Sequence, residues 1–263
     1  MNTGRFTPRV ALKLIQKWLS VQLSKAHQPA DHVFGFVSER SHVDAAKLHV
    51  NANWVLSVDI RNFFQTTPLR LVFNSLRGMG FNAQGASLIA NLACLNSSLA
   101  QGAPTSPVLS NICFAEMDAA LVQIASEFKS RLSRYADDIV YSGTGDVPAQ
   151  LQQRLTGLFA NTPWQLEEGK TSLAVAPKRL KVHGLLVAGN TVRLTKGYRN
   201  RLRAYEHLLA RGKYPVRICL LFEGISLTLN LLNAKLSSDF VLRPVTRNIN
   251  AFGSYGKGLS IRF

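Results

Sequence analysis

The chain has 263 residues, 46% of them hydrophobic, which suits one multi-lobed unit or two small domains around a sizeable core. Lys and Arg outnumber Asp and Glu by 31 to 15, a formal net charge of +16 that points to a polyanionic partner. Cys94, Cys113 and Cys219 are widely spaced and match neither a zinc site nor a disulfide framework, as in a reducing cytosol. No apolar run reaches membrane-spanning length, and no signal-peptide core or internal repeat is legible.

The spacing of apolar residues predicts a helix over 8–25, with Val10, Leu12, Leu14, Ile15, Trp18 and Leu19 on its apolar face and Pro8 near its start. A loop from His27 to Asp31 follows, then a helix over 42–49. Trp54 to Ile60 reads as a buried strand containing one acid, Asp59. Residues 68–98 carry two helical patterns, broken at Gly78-Met79-Gly80-Phe81. The turn-rich Gln101-Gly102-Ala103-Pro104-Thr105-Ser106-Pro107 leads into a helix over 108–128. A hairpin carries Asp137 and Asp138, and a helix follows at 147–160. A strand pair is predicted at 164–175 and another at 181–195. A basic helix covers 197–210, an apolar helical stretch 216–235 and a basic tail 240–263. The elements alternate without a regular parallel βαβ period, so the fold class is α+β.

The acids are unevenly placed. From Lys170 onward the only ones are Glu206, Glu223 and Asp239, so the second part of the chain forms a cationic lobe. In Tyr135-Ala136-Asp137-Asp138 two adjacent carboxylates sit in an apolar, strand-like run. Like charges side by side repel, and a cation between them removes the cost. Asp59 taken alone reads equally well as a turn or cap residue, and the acid pair alone as an exposed turn. Together they form a set of hard oxygen ligands suited to magnesium and to phosphoryl transfer. Lys196, Arg199, Arg201 and Arg203, with Tyr198 among them, give one helix the cations and aromatics that contact phosphates and bases.

The ordered motifs carry a resemblance. Ser57-Val58-Asp59-Ile60-Arg61-Asn62-Phe63-Phe64, the Gln101–Pro107 turn, Tyr135-Ala136-Asp137-Asp138, Glu168-Gly169-Lys170-Thr171 and Val182-His183-Gly184-Leu185 occur in the order found in reverse transcriptases. The chain most closely resembles the bacterial retron-type family, related to group II intron enzymes, over roughly residues 5–235. The resemblance implies a right-hand polymerase with a palm sheet, shortened fingers and a helical basic thumb. Partial fingers would cover 1–50. The palm would cover 51–195, with fingers helices inserted at about 65–100. The thumb and tail would cover 196–263.

The resemblance also implies roles. Asp59, Asp137 and Asp138 would be catalytic acids that hold two magnesium ions, or manganese in their place, Asp59 and Asp137 binding both, with Asp138 as a ligand nearby and the carbonyl of Ile60 assisting. Phe64 would exclude a ribose 2′-hydroxyl and so select dNTPs. Gln101 and the backbone of Gly102 would touch the incoming nucleotide, with Arg40 as a further basic contact from the fingers. Lys170 would give a proton to pyrophosphate. Lys196, Tyr198, Arg199, Arg201 and Arg203 would track the template–primer duplex. The implied partners are a structured noncoding RNA as template and primer, its cDNA and dNTPs, with an effector protein or a second copy of the chain as further candidates, in the bacterial cytoplasm and without a membrane.

Two marks depart from the retron pattern. Ala45-Ala46-Lys47-Leu48-His49 lacks the usual Asn, and His183 stands where Thr is usual. The chain begins where the first shared block begins, which leaves Arg5 and Arg9 as the nearest basic contacts for a triphosphate. A defence-associated reverse transcriptase therefore fits as well as a retron enzyme. An RNA-dependent RNA polymerase, a template-independent polymerase and a non-catalytic RNA-binding module of polymerase fold are the alternatives.

Overall fold

The computed structural model describes residues 10–210. At its centre is a four-stranded antiparallel sheet in the order β4-β5-β1-β6, formed by β1 (Trp54–Asp59), β4 (Arg131–Tyr135), β5 (Asp138–Gly143) and β6 (Ser172–Val175). Successive side chains of a strand point to opposite faces, and both faces of β1 are used. Trp54, Leu56 and Val58 join Ile139, Tyr141 and Leu132 against a layer of helices. Val55 and Val140 pack on the opposite face against Val182, Leu185 and Val187 of a second sheet. That sheet consists of β7 (Leu180–Val182), β8 (Leu185–Ala188) and β9 (Thr191–Leu194). Burial on both faces explains why β1 reads as a continuous apolar run broken only by Ser57 and Asp59.

The helical layer holds α1 (Val10–Ala26), α3 (Leu69–Gly78), α4 (Ala83–Ala93), α5 (Ser106–Glu127) and α6 (Leu151–Phe159). Pro107 lies in the first turn of α5, where its missing N–H costs no intrahelical bond. This helix is long and apolar enough to cross a membrane, contrary to the sequence expectation. It is mostly buried instead, because its neighbours cover residues as far apart around its axis as Leu109, Ile112 and Phe114. On the second-sheet side, α2 (His42–Lys47) starts with a reciprocal Ser41–Asp44 capping box and packs Val43 and Ala46 into the second core. The last described element is α7 (Lys196–Ala210).

Several expectations are corrected. The first helix buries Gln16, Leu19 and Leu23, while Val10, Leu14 and Trp18 are exposed. The amide of Gln16 donates to the carbonyl of Leu92 at 2.7 Å, so a polar residue points inward. The stretch 164–175 holds one strand and a 3-10 turn (Glu168–Lys170) instead of two strands. Its first half closes the end of β1 by backbone bonds from Arg61 to Gln165 and from Glu167 to Asp59, each 2.8 Å. The stretch 181–195 contains two tight reversals and so lies within a three-stranded sheet. A two-residue hairpin, β2 (Cys94–Leu95) with β3 (Ser98–Leu99), was not legible. The predicted helix at 216–235, the tail at 240–263 and Cys219 lie outside the described residues.

Candidate active site

The site is built at one end of the central sheet. β4 and β5 are joined by the two-residue turn Ala136-Asp137, with Tyr135 paired to Asp138. Ala136 takes φ +59°, a conformation usually reserved for glycine at this point of a tight hairpin. The turn is pinned to the neighbouring strand because the amide of Ile60 donates to the carbonyl of Asp137 at 2.9 Å. β1 pairs with β5 in a register that sets Asp59 opposite Asp138. Residues 79 apart in sequence thus meet through strand pairing alone.

Asp59, Asp137 and Lys170 line one cleft with Ile60, Phe64, Gln101, Phe36, Arg61 and Glu167. The ammonium of Lys170 donates to the Asp59 carboxylate at 2.7 Å. This hydrogen bond, reinforced by the charges of Asp59, Asp137 and Glu167, holds the lysine above its ordinary pKa. Burial raises the pKa of Asp137, and the charges of Asp59 and Asp138 add to it against the pull of Lys170. Two carboxylates thus crowd one ammonium at the sheet end, and the cost of charging Asp137 there is one that a further cation relieves.

Asp138 is placed differently. Its oxygens accept from the hydroxyl of Ser57 at 2.9 Å and from Nδ1 of His183 at 2.9 Å, and it is not among the cleft-lining residues. Phe64 packs against Phe36 and Phe63, each ring pair 5.9 Å apart. Gln101 accepts from Gln65 at 2.8 Å at the cleft rim, and Gly102 (φ +98°) turns the chain just beyond it. Arg40 does not line the cleft. Its guanidinium donates to the carbonyls of Ala30 and Val33 at 2.6 and 2.7 Å and so closes the loop before α2. On α7, Lys196, Arg199, Arg201 and Arg203 are exposed, with the Arg201 guanidinium 5.7 Å from the Tyr198 ring centre.

A buried polar hub beneath the hairpin turn was missed in the sequence. Arg134, fully buried, holds Asp118 through bonds of 2.7 and 2.5 Å. It also donates to Asn111 at 3.1 Å and to the carbonyl of Ala136 at 3.0 Å. Asn111 in turn donates to the carbonyl of Gly35 at 3.0 Å. Burial pushes the Asp118 carboxyl up, but the charge of Arg134 and the bonds from His32 and Arg134 outweigh it and hold it low. An arginine within Leu132-Ser133-Arg134-Tyr135 and an acid within an apolar helix were the available signals, because buried charges come in pairs. The ion pair of Arg61 with Glu167, 3.1 Å across the cleft wall, was also not anticipated.

An antiparallel sheet with carboxylates at two neighbouring strand ends, backed by helices, defines a polymerase palm. The chain belongs to the reverse transcriptase (RNA-dependent DNA polymerase) family, whose model matches residues 2–186. It is 25% identical to the retron Ec86 reverse transcriptase of Escherichia coli over 79% of this chain and 65% of that one. It is 26% identical to the retron Mx65 reverse transcriptase of Myxococcus xanthus over 78% and 52%, respectively. The chain thus spans between about half and two thirds of the length of these curated relatives. Among solved structures, the apo telomerase of Candida tropicalis truncated of its C-terminal domain shares the fold, with a TM-score of 0.50 and 10% identity over 70% of this chain and 45% of that one.

Proposed function

We propose that this protein is an RNA-directed DNA polymerase that copies a structured noncoding RNA into cDNA, in a bacterial retron or a related anti-phage defence system in the cytoplasm. The observation that carries this reading is the meeting of Asp59, Asp137, Lys170, Phe64 and Gln101 in one cleft. The donor set fits divalent magnesium, with manganese as a substitute. Two hard carboxylates stand on neighbouring strand ends, a cation is already drawn to one of them, and the cleft leaves room for substrate phosphates. Asp59 and Asp137, with the carbonyl of Ile60, would hold the ions, which when bound supply charge stabilisation for an in-line phosphoryl transfer.

The remaining chemistry belongs to the chain. The primer 3′-hydroxyl gives its proton to solvent water and attacks the α-phosphorus of a dNTP, and the new P–O bond forms as the bond to pyrophosphate breaks. Lys170 keeps its proton at Nζ, next to the acids, and gives it to the leaving oxygen. The ring of Phe64, backed by Phe36 and Phe63, occupies the space a ribose 2′-hydroxyl would need. Gln101 orients the nucleotide from the rim. The exposed cations and Tyr198 of α7 follow the duplex as a thumb, residues 51–195 serve as palm with the inserted helices, and the segment before them as partial fingers.

The test is synthesis by the full chain on its own noncoding RNA with magnesium and labelled nucleotides. DNA product from dNTPs, lost in the Asp137→Ala/Asp138→Ala double variant, is the expected result. Unchanged synthesis by that variant refutes the site. Preferential incorporation of NTPs identifies an RNA polymerase instead.

A further inference from the structure

Asp138 is next to Asp137 in the chain, yet its surroundings are of another kind. Ser57 and Asp59 of β1 share the sheet face that meets β7–β9 with Asp138 and Val140 of β5, because directly paired residues point the same way, so Asp138 stands beside Asp59 there. A carboxylate only accepts hydrogen bonds. The Ser57 hydroxyl therefore donates to one oxygen and the Nδ1–H of His183 to the other, each at 2.9 Å.

His183 reaches that position through an unusual turn. It and Gly184 join β7 to β8 with φ of +46° and +81°. Positive φ at both central residues is the tight hairpin geometry that favours Asn-Gly or Gly-Gly, and a histidine there is costly. The cost is accompanied by a specific set of contacts. The His183 side chain is 1% exposed, and its Nε2 lies 2.8 Å from the Ser133 hydroxyl. Ser133 lies 2.7 Å from Nε2 of His49, and Nδ1 of His49 lies 2.7 Å from the Ser142 hydroxyl. His49 is fully buried at the end of the α2 segment. One connected line of polar groups thus runs from Asp138, whose side chain is 30% exposed, through His183, Ser133 and His49 to Ser142 in the seam between the two sheets. Connected buried networks of this kind hold one arrangement of the groups that form them.

We propose that His183, braced by Ser133 and His49, is a positioning residue that locks Asp138 as the anchor of the hairpin, and that Asp138 is not itself a metal ligand. The second sheet thereby sets the aim of Asp137 into the cleft. This rests on the polymerase reading of the site. It adds that the acid pair has divided roles, one carboxylate facing ion and substrate and the other tied into the protein.

Two measurements on the full chain test it. Mn²⁺ binding is followed by the EPR signal of the free ion with a saturating non-hydrolysable dNTP present, the nucleotide's own Mn²⁺ binding being subtracted. Asp137→Asn is expected to lose at least about ten times more affinity than Asp138→Asn. Equal losses overturn the proposal, because both acids would then be ligands. If the wild-type chain binds no Mn²⁺, the metal reading of the site falls, and this inference with it. The second measurement compares His183→Ala, His183→Asn and His183→Gln in primer extension. Asn places an N–H near Nδ1 and can still donate to Asp138. Gln reaches toward Nε2 and cannot. His183→Ala and His183→Gln should lose about 10- to 100-fold in kcat with KM for dNTP little changed, and His183→Asn should recover most of that loss. Thermal unfolding should register all three variants, since each disturbs the line of polar groups. An Asn variant as slow as Ala and Gln, or an Ala variant with wild-type kcat, overturns the positioning role.

Discussion

Gly35 is the most direct test of how the fold sets the Ala136-Asp137 hairpin turn. A Cβ added there would lie 2.1 Å from the amide nitrogen of Ala136, 2.8 Å from the carbonyl carbon of Tyr135 and 3.0 Å from the Ala136 Cα. All three are backbone atoms, so no side chain can swing away. The glycine cannot retreat easily either. Its carbonyl accepts from Asn111 at 3.0 Å, and the preceding Phe34 amide donates to Arg134 at 2.8 Å. Relief to ordinary contact in Gly35→Ala requires the Ala136-Asp137 turn to move by about 1 Å. Displacement of a reacting group on that scale costs about 100-fold in rate. Overpacking against rigid backbone costs about 1–3 kcal/mol, or roughly 2–10 °C in Tm for a chain of this size. Steady-state primer extension and thermal unfolding of the variant read both quantities. Gly157→Ala in α6 is the control, because a Cβ there meets nothing within 4 Å. It should leave synthesis unchanged and raise stability slightly, since alanine suits a helix interior better. Gly35→Ala with kcat within threefold of wild type and an unchanged Tm would show that the hairpin is not held by this contact, and the reasoning would fail.

Other predictions concern charge. Asp137→Asn should abolish synthesis, by at least about 1,000-fold, while raising Tm at neutral pH. The sign follows from the raised pKa: the folded state disfavours the ionised carboxyl, so the aspartate destabilises progressively as pH rises through its folded pKa, and the gain from Asn should vanish in acid. His49 is pulled down from 6.5 to about 3 by burial first, then by the charges of His183 and Arg131. Its folded pKa lies below the unfolded one, so its contribution is fully present above pH 6.5 and is lost as pH falls toward 3. Stability should drop by about 2 kcal/mol between pH 7 and pH 5, with a flatter profile in His49→Gln, as denaturant titrations across pH would record. Arg134→Met leaves the buried Asp118 with only its 3.1 Å bond from His32 and should cost about 3–5 kcal/mol by the same measurement, with loss of activity as the Ala136 carbonyl is released.

Much of the site was legible because strand ends and turns leave local marks. Asp59 in a run of apolar residues and Asp137-Asp138 between two strand-like segments are anomalies of composition, visible without coordinates. Their meeting required only that β1 and β5 pair, which both-face burial favours. Boundaries at 164–195 were less legible, since backbone bonds between residues 59–61 and 165–167 close the sheet end there without forming a regular strand. The placement of Arg40 was not legible at all. A cation near the motifs reads as a phosphate contact, whereas here two carbonyls of its own loop take its hydrogen bonds.

The sequence by itself determined the α+β class, the order of the motifs, the cationic helix and the identity of the two acidic strand ends, because each is written in periodicity or charge over a few residues. Tertiary structure alone decided which acid faces the cleft, that Lys170 rests on Asp59, that Arg134 and Asp118 underpin the turn, and that His183 and His49 belong to one line of polar groups. Those contacts join residues 16 to 111 positions apart, and nothing in the local pattern of either partner encodes the other. Packing two sheets and a helical layer around the seam brings them together, and the chemistry of the site depends on that packing.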